Sequence, residues 1–340
     1  MKGKIDIVMQ GTLTANNKID KQLVSYVLKV RRLFPHSRLI LSTWEVDDFL
    51  RNTIEKISRY FDIDILFNTD PGAITTYFNG IKYSSNINRM LVSTYQGILH
   101  SDNEYIVKLR TDSYFYNTNI MELMETYIIN NIDNLKRDEN YTIFKERMIN
   151  CNLFARNAKG YLPYLFHPGD ILLAGRRIDL EKLFSIELAN KDIFQTHTRM
   201  YFYTMMRFVP EQYIWVKCIE KQKGYRIFPG NQSHSNELIE ESERFYVNNF
   251  FVADSNTLGF KWPKHTTHYH NKGTYSIYTN EDWKRMYNKY VLKIPNKINL
   301  YHLYERFVTI MMIIYFMIRT NLLRIPFIKQ IAIKRFYKRG

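Results

Sequence analysis

Short apolar runs alternate with amphipathic stretches through the first third of the chain. Residues 4–9 form one such run, ending at the polar Gln10-Gly11-Thr12. Asp20 then precedes Leu23, Val24, Val27 and Leu28 at helical spacing, a capped helix stopped by Pro35-His36-Ser37. Residues 38–44 predict a second strand, and 45–60 a helix with Phe49, Leu50, Ile54 and Ile57 on one face. Residues 63–67 predict a third strand, closed by Asn68-Thr69-Asp70-Pro71-Gly72. From about Ser85 a helix carries Ile87, Met90, Leu91, Tyr95, Ile98 and Leu99 on one side. A fourth strand, 105–109, runs into the polar turn Arg110-Thr111-Asp112-Ser113. Strand and helix in strict alternation imply a mostly parallel sheet with right-handed crossovers. The strand ends at Gln10, Trp44, Asp70 and Asp112 then belong to one rim, the edge at which open α/β sheets bind ligands.

The second half reads less regularly. Residues 121–162 are polar and charge-rich and suggest a helix and a surface excursion. Residues 171–175 predict a strand and 177–188 a helix. Pro210-Glu211-Gln212 opens another helix, with proline and a carboxylate where the first turn favours them. Residues 225–228 predict a late strand, and 231–282 read as loop-rich, with His265, His268 and His270 clustered there. After Glu305 no acidic residue occurs. Residues 307–318 are nearly all apolar, shorter than the ~20 a spanning helix needs. Beyond them basic residues alternate with apolar ones, as in a helix lying on an anionic leaflet. The expected organisation is a domain over 1–290, with halves at about 1–118 and 160–290, followed by a basic apolar helical tail over 291–340.

Composition sharpens this picture. Hydrophobic residues make up 45% of the 340, and aromatic residues 15%, so the chain folds around a core rich in rings. The net charge of +15 favours an anionic partner. Two cysteines supply neither a disulfide framework nor a zinc pattern, which suits a reducing compartment. The N-terminal run is too short and polar for the apolar region of a signal peptide. No Gly-x-Gly-x-x-Gly follows the first strand and no P-loop occurs, so phosphate is held some other way. A nucleic-acid-binding protein is the competing reading of the charge, but no such motif is present, and none is expected as a partner.

Asp112 is the first chemical candidate. A carboxylate after this strand suits an Mg or Mn ion set against the diphosphate of a sugar nucleotide. Arg110 stands where a second acid would complete Asp-x-Asp, and itself offers positive charge. Lys108, alternating away from Leu109, reads as solvated. Glu211, at a helix start, is a candidate general base for an attacking hydroxyl, with Asp170 as its competitor. Arg89, near a helix start beside Asn88, is a candidate phosphate contact. A single histidine of the 265–270 cluster is expected to reach the diphosphate or its metal.

An ordered series of short motifs carries a resemblance. Gln10-Gly11, Phe34-Pro35, Leu41-Ser42-Thr43-Trp44-Glu45, Asp70-Pro71-Gly72, Asn86-x-Asn88-Arg89, Lys108-Leu109-Arg110-Thr111-Asp112, His167-Pro168-x-Asp170, Gly175 and Pro210-Glu211-Gln212-Tyr213-Ile214-Trp215 resemble the WavE lipopolysaccharide-synthesis family over roughly residues 4–235. Gly169 stands where the family usually has serine. The resemblance implies a bacterial glycosyltransferase with a GT-A-like α/β fold, a mostly parallel central sheet flanked by helices. It implies a sugar-nucleotide donor, a lipid-linked or oligosaccharide acceptor of lipopolysaccharide, O-antigen or capsule, and a place on the cytoplasmic face of the membrane. Glu211-Gln212 looks like the acidic pair of the GT-A pattern, with glutamine replacing the second acid. Gln10, Gly11, Trp44, Asp70, Asn88, Arg89, Arg110 and Asp112 are then expected on the donor, and His167, His268 and His270 near acceptor or phosphate. An inverting hexosyl transfer with Glu211 as base is the expectation. A sialyl- or phosphosugar transferase of the same fold is the alternative.

Overall fold

The computed structural model describes residues 5–78, 81–130, 135–199, 202–264, 276–297, 299–328 and 330–331. Seven strands form the central sheet: β1 (Ile5–Gln10), β2 (Leu39–Trp44), β3 (Asp64–Asn68), β4 (Tyr105–Arg110), β5 (Met148–Cys151), β6 (Leu172–Arg176) and β7 (Phe250–Ala253). Their spatial order is β3-β2-β1-β4-β6-β5-β7. All neighbours are parallel except at β6, which runs antiparallel to both β4 and β5. The expected α/β class, a mostly parallel sheet flanked by helices with a C-terminal helix, is the one observed.

The helices are α1 (Lys21–Leu33), α2 (Asp48–Tyr60), α3 (Ile87–Leu99), α4 (Arg177–Phe184), α5 (Pro210–Lys223), α6 (Asn236–Asn249), α7 (Asn280–Tyr287) and α8 (Leu300–Leu322), with a short turn of helix at Asn119–Leu123. Asp20 caps α1 as its position implies, accepting from the N–H groups of Gln22 and Leu23 at 2.8 and 3.2 Å. Helix α3 lies close on the sheet because Gly97 has no side chain. A Cβ there would stand 2.6 Å from Cγ1 of Val8 and 3.2 Å from Cβ of Ser42. Trp215 of α5 is fully buried against Phe144 and Phe250, which ties the later half to the core.

The structure corrects four expectations. Residues 121–162 are not only a surface excursion, since β5 lies there, in the sheet between β6 and β7. The 231–282 stretch contains α6, β7 and the start of α7. Residues 225–228 form no strand; that edge of the sheet is taken by β7 instead. Lys108 is fully buried rather than solvated. In a strand covered on both faces, alternation does not point to water, so a charged residue follows its partner inward.

Antiparallel β6 has a consequence for position. Its N-terminus lies beside the C-terminal end of β4, with Leu172 opposite Leu109. Asp170, just before β6, is thereby delivered to the same rim as Asp112.

Candidate functional site

A cleft of about 680 Å³ opens at the C-terminal ends of β1, β2 and β4. Gln10, Gly11, Trp44, Asp70, Arg89, Arg110 and Asp112 all line it, with Leu23, Val46 and Leu50 supplying apolar wall. Chain positions far apart meet here because parallel strands end on one edge. Gly11 adopts φ +132°, and a Cβ there would lie 2.6 Å from Oγ1 of Thr111. Only glycine lets the turns after β1 and β4 approach this closely. Across that contact Thr111 Oγ1 donates to the carbonyl of Thr12 at 3.0 Å.

Two guanidinium–carboxylate pairs stand in the cleft. Arg110 grips Asp112 through two parallel bonds, Nε to Oδ1 at 2.9 Å and Nη2 to Oδ2 at 2.8 Å. Burial works to raise the Asp112 carboxyl, but the Arg110 hydrogen bonds and charge outweigh it and hold Asp112 below its usual range. Arg89 grips Asp70 in the same way, at 2.8 Å to Oδ1 and 2.6 Å to Oδ2, and lowers it. Each carboxylate fixes one edge of a guanidinium; Arg89 also donates Nη1 to Asn86 Oδ1 at 2.9 Å, and N–H groups not used in these bonds can meet an anion. Gln10 accepts from the Ser93 hydroxyl at 2.9 Å. Asn88 does not line the cleft. It is buried, and its amide donates to the carbonyl of Ala189 and accepts from the N–H of Ala189 at 2.9 and 2.8 Å. It positions α3 against the loop after α4.

A second group of charges adjoins the first. Lys108 and Arg110, two residues apart on β4, share one face of the strand. The Lys108 ammonium donates to the backbone carbonyl of Asp170 and lies 3.2 Å from Oδ2 of its carboxylate, with both side chains buried. Burial pushes the Lys108 amine down, and Asp170 opposes that. Glu211, the second residue of α5, lies with Oε2 3.6 Å from Nε2 of His167. Burial first, then repulsion from Asp170, raises Glu211 from 4.5 to about 7. Burial, with the Arg156 charge nearby, pushes His167 down to about 3, so it is neutral at physiological pH. Arg110 feels both Asp170 and Glu211, so the two groups form one continuous charged site.

Gln212 serves the scaffold. Its amide pairs reciprocally with that of Asn231 at 2.9 Å, donates to the carbonyl of Leu165 at 2.7 Å and accepts from the N–H of Val209 at 3.1 Å. That network fixes the start of α5 and hence the direction of Glu211. His268 and His270, with His265, lie outside the described residues. Lys108, Arg156, Tyr164 and Trp262 belong to the site without having been singled out for it: Arg156 acts on both Glu211 and His167, Tyr164 packs against His167, and Trp262 flanks Arg110 and Asp112. The one available signal was Lys108, a lysine inside an otherwise apolar strand.

Among the described residues no helix is long and apolar enough to cross a membrane. No curated protein sequence matches the chain. Similar solved structures include a cytidylyltransferase from Leptospira borgpetersenii at 15% identity and TM-score 0.31, covering 55% of this chain and 66% of that one. Mouse xyloside xylosyltransferase 1 is similar at 15% identity and TM-score 0.34, covering 74% and 85%. S. aureus TarS 1–349 is similar at 10% identity and TM-score 0.29, covering 86% and 67%. Likeness of this degree carries nothing about chemistry. The sequence signature of WavE lipopolysaccharide synthesis, by contrast, matches residues 5–315 with the charged cleft inside it, and the chain belongs to that family.

Proposed function

We propose that the protein is a glycosyltransferase that binds a nucleotide-sugar donor in the cleft at Gln10, Trp44 and Asp112 and passes its sugar to a hydroxyl of a growing surface glycan. The observation that carries this reading is Glu211. A carboxylate raised to about 7 beside a rim of guanidinium groups combines a proton acceptor with an anion site. Glu211 takes the proton of the acceptor hydroxyl as its oxygen attacks the anomeric carbon. The bond from that carbon to the diphosphate oxygen breaks, and the diphosphate leaves toward Arg110 and Arg89. A base on the acceptor side supports single displacement with inversion. Neutral His167 packs beside the base, while the Lys108–Asp170 pair holds the loop before β6 and the Asp170 charge helps keep the proton affinity of Glu211 high.

The residues at Asp112 do not make a ready Mg or Mn site. Asp112 is the one carboxylate of the turn after β4, and both its oxygens accept from Arg110. In this reading the guanidinium supplies the charge that a metal supplies to Asp-x-Asp enzymes. Lipopolysaccharide, O-antigen or capsule is the acceptor class, reached at the cytoplasmic membrane face. Support for that location comes from α8, where Phe307, Ile310, Ile314 and Ile318 are more than two-fifths exposed beside Arg306 and Arg319. Apolar surface of this extent calls for a cover, and basic residues match an anionic leaflet.

A panel of UDP-, GDP- and CMP-sugars, with and without EDTA, tests the reading by melting temperature and donor hydrolysis. One donor is expected to stabilise the protein in EDTA as well as in Mg. If no sugar nucleotide shifts the melting temperature, the proposal fails.

A further inference from the structure

Away from this cleft, a second crevice of about 470 Å³ runs between the body and the root of α8. Asp282, His302 and Glu305 line it, and each places a ligand atom within 4.8 Å of the other two. His302 and Glu305 stand three apart on α8, hence on one helical face, with His302 Nδ1 3.4 Å from Glu305 Oε2. Around a tetrahedral ion with ligands at ~2.1 Å, neighbouring donor atoms lie ~3.4 Å apart. The histidine–glutamate pair already has that spacing, and Asp282 needs to close by about 1.4 Å at most.

The surroundings resemble those of a metal site. Asp282 Oδ2 accepts from both the backbone N–H and the hydroxyl of Thr279 at 2.9 Å, which leaves Oδ1 for a ligand. Outer partners of this kind orient metal-binding carboxylates. His302 is buried and Glu305 is 16% exposed, while the crevice provides an entry path. Arg285, Lys289 and Arg306 line the same crevice. Retention of an ion there depends on direct coordination, not on a general negative field.

We propose that Asp282, His302 and Glu305 form a divalent-metal site that pins the first turn of α8 to α7. One imidazole nitrogen with two carboxylates is a donor set suited to zinc, with water completing four-coordination. The site is independent of the glycosyltransferase reading. Its role is to fix the direction in which the exposed apolar helix leaves the body.

Untagged full-length protein, stripped with chelator, is titrated with zinc chloride by calorimetry, with Mg and Mn as separate arms. One zinc per chain is expected, with a melting-temperature rise of about 4 °C at zinc 100-fold above Kd. Glu305→Gln and His302→Gln are each expected to weaken binding at least 30-fold without changing the circular dichroism of the metal-free protein. Absence of stoichiometric zinc binding overturns the proposal. So does unchanged binding in both variants, which directs attention to His265, His268 and His270. Should His302→Gln not fold, Glu305→Gln decides alone, since its side chain is isosteric and partly exposed.

Discussion

Glu211→Gln is expected to make the protein more stable and less active at once. In the folded chain the Glu211 carboxyl is raised from 4.5 to about 7, by burial and then by Asp170. Below pH 4.5 the group is protonated in both folded and unfolded states and has no differential effect. Between 4.5 and 7 the unfolded chain gives up its proton while the folded one retains it, so stability falls as pH rises. Above 7 the full penalty applies. A gap of about 2.5 pH units at ~1.4 kcal/mol each comes to roughly 3 kcal/mol. Glutamine keeps the shape and removes the charge, so it escapes the penalty. Urea unfolding should show the two proteins equal near pH 4 and the variant about 3 kcal/mol more stable at pH 8. Donor binding should persist while transfer drops by ~100-fold or more, and wild-type transfer should rise with pH through about 7. A stability difference that does not change with pH refutes the burial argument, and an active variant refutes the base assignment.

Lys108→Met removes one partner of a buried pair and strands the Asp170 carboxylate, at a cost of about 3–5 kcal/mol. At ~2.1 cal/mol/K per residue over 340 residues, this lowers the melting temperature by roughly 4–7 °C. Adding Asp170→Asn in the same chain should recover part of the loss, and a single variant within 1 kcal/mol of wild type contradicts the pairing. Gly97→Ala gains about 1 kcal/mol of helix propensity but forces α3 off Val8 and Ser42. A net loss of about 1–2 kcal/mol in urea is expected, and a more stable protein means the helix has room. Vesicles containing phosphatidylglycerol should float the full chain in a salt-sensitive way, and replacing Phe307, Ile310 and Ile314 by serine should abolish this. A triple variant that still floats assigns the exposed face of α8 another cover.

Much of the cleft was legible in the chain because its signals are local. Strand runs, helix periodicity and the turn residues after them are written within a few positions of each other. Parallel topology then carries Gln10, Trp44, Asp70 and Asp112 to one rim, and the structure has them lining one cleft. Legibility faded after residue 120, where a strand of four residues, β5, sits in a charge-rich segment without periodicity. The strand expected at 225–228 failed because only Ile227 and Phe228 are buried there, while Tyr225 and Arg226 are exposed, and two buried residues do not specify a place in the sheet.

By itself the sequence determined the α/β class, the rim carboxylates, the helix-start Glu211 and the basic apolar tail, since each depends on residue type and short spacing. Tertiary structure alone decided their chemistry. It set Asp112 in a two-bond grip with Arg110, and turned Lys108 from an expected surface residue into the buried counterion of Asp170. It turned Asn88 away from the cleft and set Asp282 against His302 and Glu305. The physical reason is that ionisation and hydrogen bonding depend on burial and on charges a few ångströms away, and those neighbours come from strands and helices distant in the chain.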